Sequence, residues 1–523
     1  MGENITKKDA LILTIDAGTQ SIRAALVDLS GNITDMVKTP IEPYFSAHPG
    51  WAEQKPEYYW DMLCRTCRDL WAKTGDVHTQ IAGVSVTTQR ATVVNVDENG
   101  RSLRPAIVWL DQRKADGSKI LPSVIRPFVK RVKLLKFVND IIESCQINWM
   151  KQNQPEIWEK THKYLLLSGY FNFKLTGEFS DSIGSNVGYL PINPKTYEWA
   201  GPYDLKWKMF PVERAKLPHL VKPGEVLGRI TATACLETGI PQGLPVIAAA
   251  SDKACEVLGA GCLTPEIACL SFGTIATVNT AIQRYVELRP IVPPYPAAVP
   301  DQYYTEVAIM RGFWMVTWFK EQFGLKEKLE AEGAGVTPEM LFERIIREVP
   351  PGSMGLVLQP HWSPGPHMEQ CAKGSIIGFG DVHTRGHLYR AMIEGLIYGL
   401  KEGAELTEKK NKVPITRLRI SGGGSMSDTA MQIAADVFGI PAERPLTHET
   451  SAIGAAIDGA VGLGLFPDFP SAVKGMTGVK QVFEPVAENC RIYKNLYENV
   501  YTKISAKLMP LYREIQQITG YPE

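Results

Sequence analysis

A carboxylate at the end of an apolar run, followed at once by glycine and hydroxyl side chains, opens the chain. The run is Leu11-Ile12-Leu13-Thr14-Ile15, the acid is Asp16, and the turn reads Ala17-Gly18-Thr19-Gln20-Ser21-Ile22-Arg23. A strand and turn of this kind can aim backbone N–H groups, the Thr19 and Ser21 hydroxyls and the Arg23 guanidinium at phosphate oxygens, while Asp16 faces a metal ion. Gly18 supplies the freedom that a tight turn beside a ligand needs. Read for chemistry, the segment is half of a nucleotide-phosphate site; read blandly, it is an ordinary turn at a strand end.

Two later segments repeat the design. An apolar run from Pro245 to Ala250 delivers Ser251-Asp252-Lys253, and after the glycines of Gly259-Ala260-Gly261 comes a second Gly-Thr turn, Ser271-Phe272-Gly273-Thr274. The third is Arg419-Ile420-Ser421-Gly422-Gly423-Gly424-Ser425, followed further on by Ser451-Ala452-Ile453-Gly454-Ala455-Ala456. Glycines directly after a strand let another group come close to the backbone, and a helix of small residues lets a neighbour pack tightly. A plain loop and a helix–helix contact would account for the same residues.

In this order the three segments resemble the FGGY family of carbohydrate kinases, within the superfamily of sugar kinases, heat-shock chaperones and actin. The resemblance extends to Pro49-Gly50-Trp51-Ala52-Glu53-Gln54 with Trp60 beyond it, Gln89-Arg90, Trp109-Leu110-Asp111-Gln112-Arg113 and Leu175-Thr176-Gly177-Glu178. It implies an α/β fold of two ribonuclease H-like, actin-like ATPase domains facing a central cleft. It also implies ATP-dependent transfer of the γ-phosphate to a hydroxyl of a small sugar or polyol, with Mg²⁺ as the accompanying ion.

Phosphoryl transfer to an alcohol needs a proton acceptor and positive charge around the transferring group. The resemblance implies Asp252 as the base. Asp16 is expected to meet Mg²⁺ through water, because Mg²⁺ prefers oxygen ligands and keeps much of its hydration shell. Gly18, Thr19, Gln20, Ser21 and Arg23 would hold the phosphates. By the same resemblance Gly273 and Thr274 reach them from the other domain, with Gly312, Gly422, Gly423 and Ser427 completing the nucleotide site. No Walker A sequence occurs, so two turns closing together would have to cradle the phosphates and exclude water.

Gln89, Arg90, Asp252 and Lys253 are the expected sugar contacts. Glycerol-phosphorylating relatives read Gln-Arg-Glu where this chain has Gln89-Arg90-Ala91, and xylulokinases read Gln-Met-His, so the sequence matches neither. Lys253 replaces the glutamine of the glycerol branch; it could contact a polar or acidic sugar, or make a salt bridge. A pentulose is the leading expectation, a sugar acid such as gluconate the runner-up, and a chaperone-like ATPase the alternative of a different class.

The elements that must position these groups divide into an N-terminal domain over 10–262, a C-terminal domain over 263–480 and a helical tail over 481–523. A chain of 523 residues with 44% hydrophobic residues can bury cores of that size. Lys+Arg and Asp+Glu number 56 each, which leaves no general electrostatic footprint for nucleic acid. The polar N-terminus and the lack of a long apolar run predict a cytoplasmic protein with no membrane partner. Family members assemble, so a homodimer or homotetramer is implied, although no segment marks an interface.

Nine scattered cysteines argue against a disulfide framework. Cys64-x-x-Cys67 invites a metal reading, yet Trp60, Leu63, Cys67, Leu70 and Trp71 fall at helical intervals, which predicts buried helix cysteines. His361, His367, His383 and His387 form no zinc motif. The stretch from Ala391 to Leu400 reads as a buried helix, with Glu394 in a structural ion pair or cap rather than a functional role. The basic amphipathic stretch 126–138 reads as a helix packed on the first domain rather than on a membrane.

Overall fold

The apolar runs beginning at Leu11 and Ile267 each found a mixed sheet, and the two sheets share one design. The computed structural model describes residues 9–75, 77–117, 135–290, 292–363, 369 and 371–521. In the first sheet β1 (Leu11–Ala17) pairs antiparallel with β2 (Ser21–Asp28), which pairs antiparallel with β3 (Ile33–Pro40). On its other side β1 runs parallel to β4 (Ile81–Thr88). The edge is completed by β5 (Val226–Arg229) and β6 (Pro245–Ala248), in the order β5-β6-β4-β1-β2-β3.

The second sheet repeats this pattern. Its central strand β7 (Ile267–Phe272) pairs antiparallel with β8 (Ala276–Ile282). Beyond β8 come β10 (Tyr303–Ile309) and the two-residue β9 (Tyr295–Pro296). On the other side β7 runs parallel to β11 (Arg417–Ser421), and β12 (Ala442–Pro445) and β13 (Val479–Phe483) finish the order β9-β10-β8-β7-β11-β12-β13. Each half is therefore three antiparallel strands joined to parallel ones, the ribonuclease H-like arrangement the resemblance implied. Every residue of β1 is buried, because helices cover both faces of a sheet at its parallel strands.

Helix α1 (Pro56–Thr74) covers one face of the first sheet with Tyr59, Trp60, Leu63, Cys64, Cys67 and Leu70. Both cysteines are buried and free, so the Cys-x-x-Cys spacing serves packing. The opposite face is covered by α2 (Asp252–Gly259), with α5 (Thr450–Gly462) beside it, and these two helices also meet residues of the second sheet. Their approach depends on glycine: a Cβ at Gly259 would lie 1.9 Å from the Thr450 carbonyl oxygen, and one at Gly454 would lie 2.0 Å from that of Cys255. Although α5 falls within the span 263–480, it packs on β1 and β4 of the first sheet.

In the second half α3 (Arg385–Asn411) and α4 (Asp428–Phe438) pack together within one core. The chain then runs through α6 (Phe469–Met476) and β13 to α7 (Ala487–Leu496) and α8 (Thr502–Thr519), whose Tyr493 and Ile504 enter the same core. The tail is anchored through Glu394, which receives Arg390 Nε and the Tyr493 hydroxyl, each at 2.8 Å. Of the basic stretch 126–138, residues 126–134 lie outside the described residues, as does His367. Among the described residues no helix is long and apolar enough to cross a membrane.

Candidate active site

Asp16, the penultimate residue of β1, lies directly opposite Arg23 on β2, as the antiparallel register requires. Arg23 donates to its carboxylate at 2.9 Å, and its Nε lies 3.2 Å from Glu449 in the turn before α5. Burial raises the Asp16 pKa to about 6 against the pull of Arg23, with Asp252 and Glu449 adding to the rise. The guanidinium expected at the phosphates thus lies between two carboxylates. Gly18 closes the turn by donating to the Ser21 carbonyl at 3.1 Å. Thr19 donates to the Gln89 side-chain oxygen at 2.9 Å and accepts from the Trp109 indole at 3.0 Å. The first turn is thereby tied to the end of β4, where Gln89 also donates to the Tyr59 hydroxyl at 3.3 Å.

Asp252 begins α2 four residues after Ala248, the last residue of β6, and Ser251, with extended backbone, occupies the N-cap position. Burial raises its pKa above the ordinary aspartate value, opposed by the positive charges of Lys253 and Arg90. Arg90 spans the two halves of the molecule. Its Nη1 reaches both oxygens of Glu306 on β10, at 2.9 and 2.8 Å, while Nε donates to Ser251 at 3.1 Å. The Tyr295 ring lies 4.7 Å beneath the guanidinium. Lys253 is also paired, donating at 2.7 Å to both Glu256 and Ser271.

On the facing side, Gly273 and Thr274 form the turn between β7 and β8. Gly312 lies behind this turn and does not line the cleft: it donates to the Thr274 carbonyl at 2.9 Å, and a Cβ there would lie 2.2 Å from the Ala276 nitrogen. Gly422 follows β11 at φ +82, where a Cβ would meet the Phe272 backbone at 3.0 Å. Gly423 is open on its outer side. Ser427 caps α4 by accepting from Ala430 N–H at 3.0 Å, and its hydroxyl donates to Glu343.

The remaining expected residues, Asp16, Gly18, Thr19, Gln20, Ser21, Arg23, Gln89, Arg90, Asp252, Lys253, Gly273, Thr274, Gly422, Gly423 and Ser427, line one cleft of about 2130 Å³. They sit at the carboxyl ends of central strands or in the turns beside them, where open α/β sheets place their ligands. Glu306, Glu449, Glu343 and Tyr295 line the same cleft and were not anticipated. The i,i+3 spacing of Lys253 and Glu256 was a readable sign of their pairing. Among the described residues no group of three or more His, Cys, Asp or Glu could hold a metal ion. A lone carboxylate with surplus negative charge around it fits a Mg²⁺ that arrives with phosphates and keeps much of its water.

The chain matches the FGGY family of carbohydrate kinases, N-terminal domain, over residues 11–259 and the C-terminal domain of that family over residues 268–463. It is 30% identical to an uncharacterized sugar kinase of Escherichia coli K12 over 495 residues, covering 94% of this chain and 93% of that protein. It is 29% identical to a xylulose kinase of Staphylococcus epidermidis, covering 98% of both. Among solved structures, a xylulose kinase from Lactobacillus acidophilus superposes with a TM-score of 0.81 at 22% identity, covering 97% of this chain and 99% of that one. A gluconate kinase from the same organism gives 0.80 at 22% identity, covering 97% and 100%.

Proposed function

The chain belongs to the FGGY family of carbohydrate kinases and is a phosphotransferase with an alcohol acceptor, and we propose that its acceptor is a neutral ketose of pentulose size. The observation that carries this reading is the pairing of the two cations bearing on Asp252. Arg90 is held by Glu306 and Lys253 by Glu256. A sugar carboxylate would have to compete with buried protein carboxylates for either cation, whereas hydroxyls can share the remaining donors and lone pairs without displacing them. Relatives named xylulose kinase support pentulose size.

ATP and the sugar meet in the cleft between the two sheets. Asp252 accepts the proton of the attacking hydroxyl as its oxygen forms the new bond to the γ-phosphorus and the bond from that phosphorus to the leaving ADP oxygen breaks. Gly18, Thr19, Gln20, Ser21 and Arg23 bind phosphates from one side, with Gly273 and Thr274 on the other. Gly312 supports the second turn from behind, and Gly422, Gly423 and Ser427 form the nucleoside end. Gln89 and Arg90 orient the sugar. When bound beside Asp16, Mg²⁺ neutralises charge on the phosphate oxygens.

Competition between xylulose, ribulose and gluconate for phosphorylation, resolved by mass spectrometry of the products, tests the reading. A pentulose phosphate as the dominant product is the expected result. Preferential phosphorylation of gluconate would overturn the neutral-sugar assignment.

A further inference from the structure

Ser271 and Ser421 are register partners at the ends of the parallel strands β7 and β11. Each hydroxyl meets one member of an ion pair on α2, formed by the half-buried Lys253 and the buried Glu256. Lys253 donates to Ser271 at 2.7 Å and to Glu256 at 2.7 Å, and the other Glu256 oxygen accepts from Ser421 at 2.5 Å. One Lys–Glu pair on the helix that starts with Asp252 therefore grips both strand ends that precede the glycine turns of the second sheet. Burial opposes the charge on Lys253, but Glu256 and then Asp252 outweigh it and hold the ammonium charged.

The Lys253 side chain crosses from α2 to the second sheet, toward the turn that carries Thr274, whereas Gln89 and Arg90 come from the first. A Cβ on Gly273 would lie 3.7 Å from Nζ, so the bare glycine leaves the turn open toward the ammonium. Two of its three N–H donors are used by Glu256 and Ser271, which leaves one. We infer that Lys253 acts on the phosphate side of the cleft, giving its third N–H to the transferring phosphoryl group, with Glu256 and Ser271 fixing its position. The assignment rests on the kinase reading above. It supplies a fixed cation close to the developing charge in a site that has no Walker A lysine.

Calorimetric titration with ADP and with a β,γ-imido ATP analogue, on the wild type, Lys253→Gln and Lys253→Arg, separates this role from a sugar contact. In Lys253→Gln the analogue should weaken about tenfold more than ADP, with kcat reduced and the sugar KM unchanged; Lys253→Arg should recover part of the loss. Ser271→Ala, which keeps the lysine and removes one anchor, should produce a smaller change of the same kind. Equal weakening of both nucleotides, or a raised sugar KM with nucleotide binding intact, would overturn the assignment. A wild type that binds neither nucleotide would instead overturn the kinase site itself.

Discussion

Asp252 is the base of the proposed transfer, and its surroundings set when it can accept a proton. Asp252→Asn keeps the shape of the side chain but removes proton acceptance. Its kcat should fall by about 10²- to 10⁴-fold while nucleotide binding persists, as single-turnover kinetics and calorimetry would establish. Retained turnover would take the base role from this residue. The pH profile follows from burial, which raises the Asp252 pKa against the opposing charges of Lys253 and Arg90. The reacting form is the carboxylate, so kcat/KM should decline as pH falls, with its acid limb centred above the ordinary aspartate range. A limb at or below that range would contradict the stated environment of Asp252.

At the scale of elements, the α2–α5 pair sets where Asp252 stands, and it encloses an acid that does not line the cleft. Asp458 on α5 is fully buried, with the Cys255 thiol 3.8 Å away. Burial holds its pKa well above the ordinary value, opposed by hydrogen bonds from Cys255 and the Ala250 N–H. The folded state therefore holds a proton that the unfolded chain releases, and stability falls as pH rises between the unfolded and folded pKa. Asp458→Asn escapes this cost, so its stability relative to the wild type should improve by up to about 1.4 kcal/mol for each pH unit across that window. Thermal melts at several pH values would check the slope; a gain that shrinks with rising pH would refute it. Asp16, Asp252, Gly273 and Gly422 could be read from sequence because each follows closely on an apolar run that had to be a central strand, and strand ends of this fold meet in the cleft. Glu306 carried no such mark: its partner Arg90 is 216 residues away, brought alongside only by the packing of two sheets. Likewise, the position of α5 in the chain gave no sign that it would lie on the first sheet.

For the whole molecule, the ion pair between Arg90 and Glu306 joins the two halves at the cleft. Glu306→Gln leaves the arginine charge uncompensated there, so the ratio of kcat/KM for gluconate to that for the preferred pentulose should rise, by about tenfold if one charge-assisted hydrogen bond is gained. An unchanged ratio would show that the pair plays no part in rejecting acids. If the two turns, one from each half, bind the phosphates as proposed, the reaction should depend on closure around both substrates. The most direct measurement is ADP release from Mg²⁺-ATP, with and without each of a panel of polyols, pentuloses, hexuloses and sugar acids. ADP release that is low alone and strongly stimulated by a neutral pentulose is the predicted result. Steady hydrolysis indifferent to every sugar would contradict it.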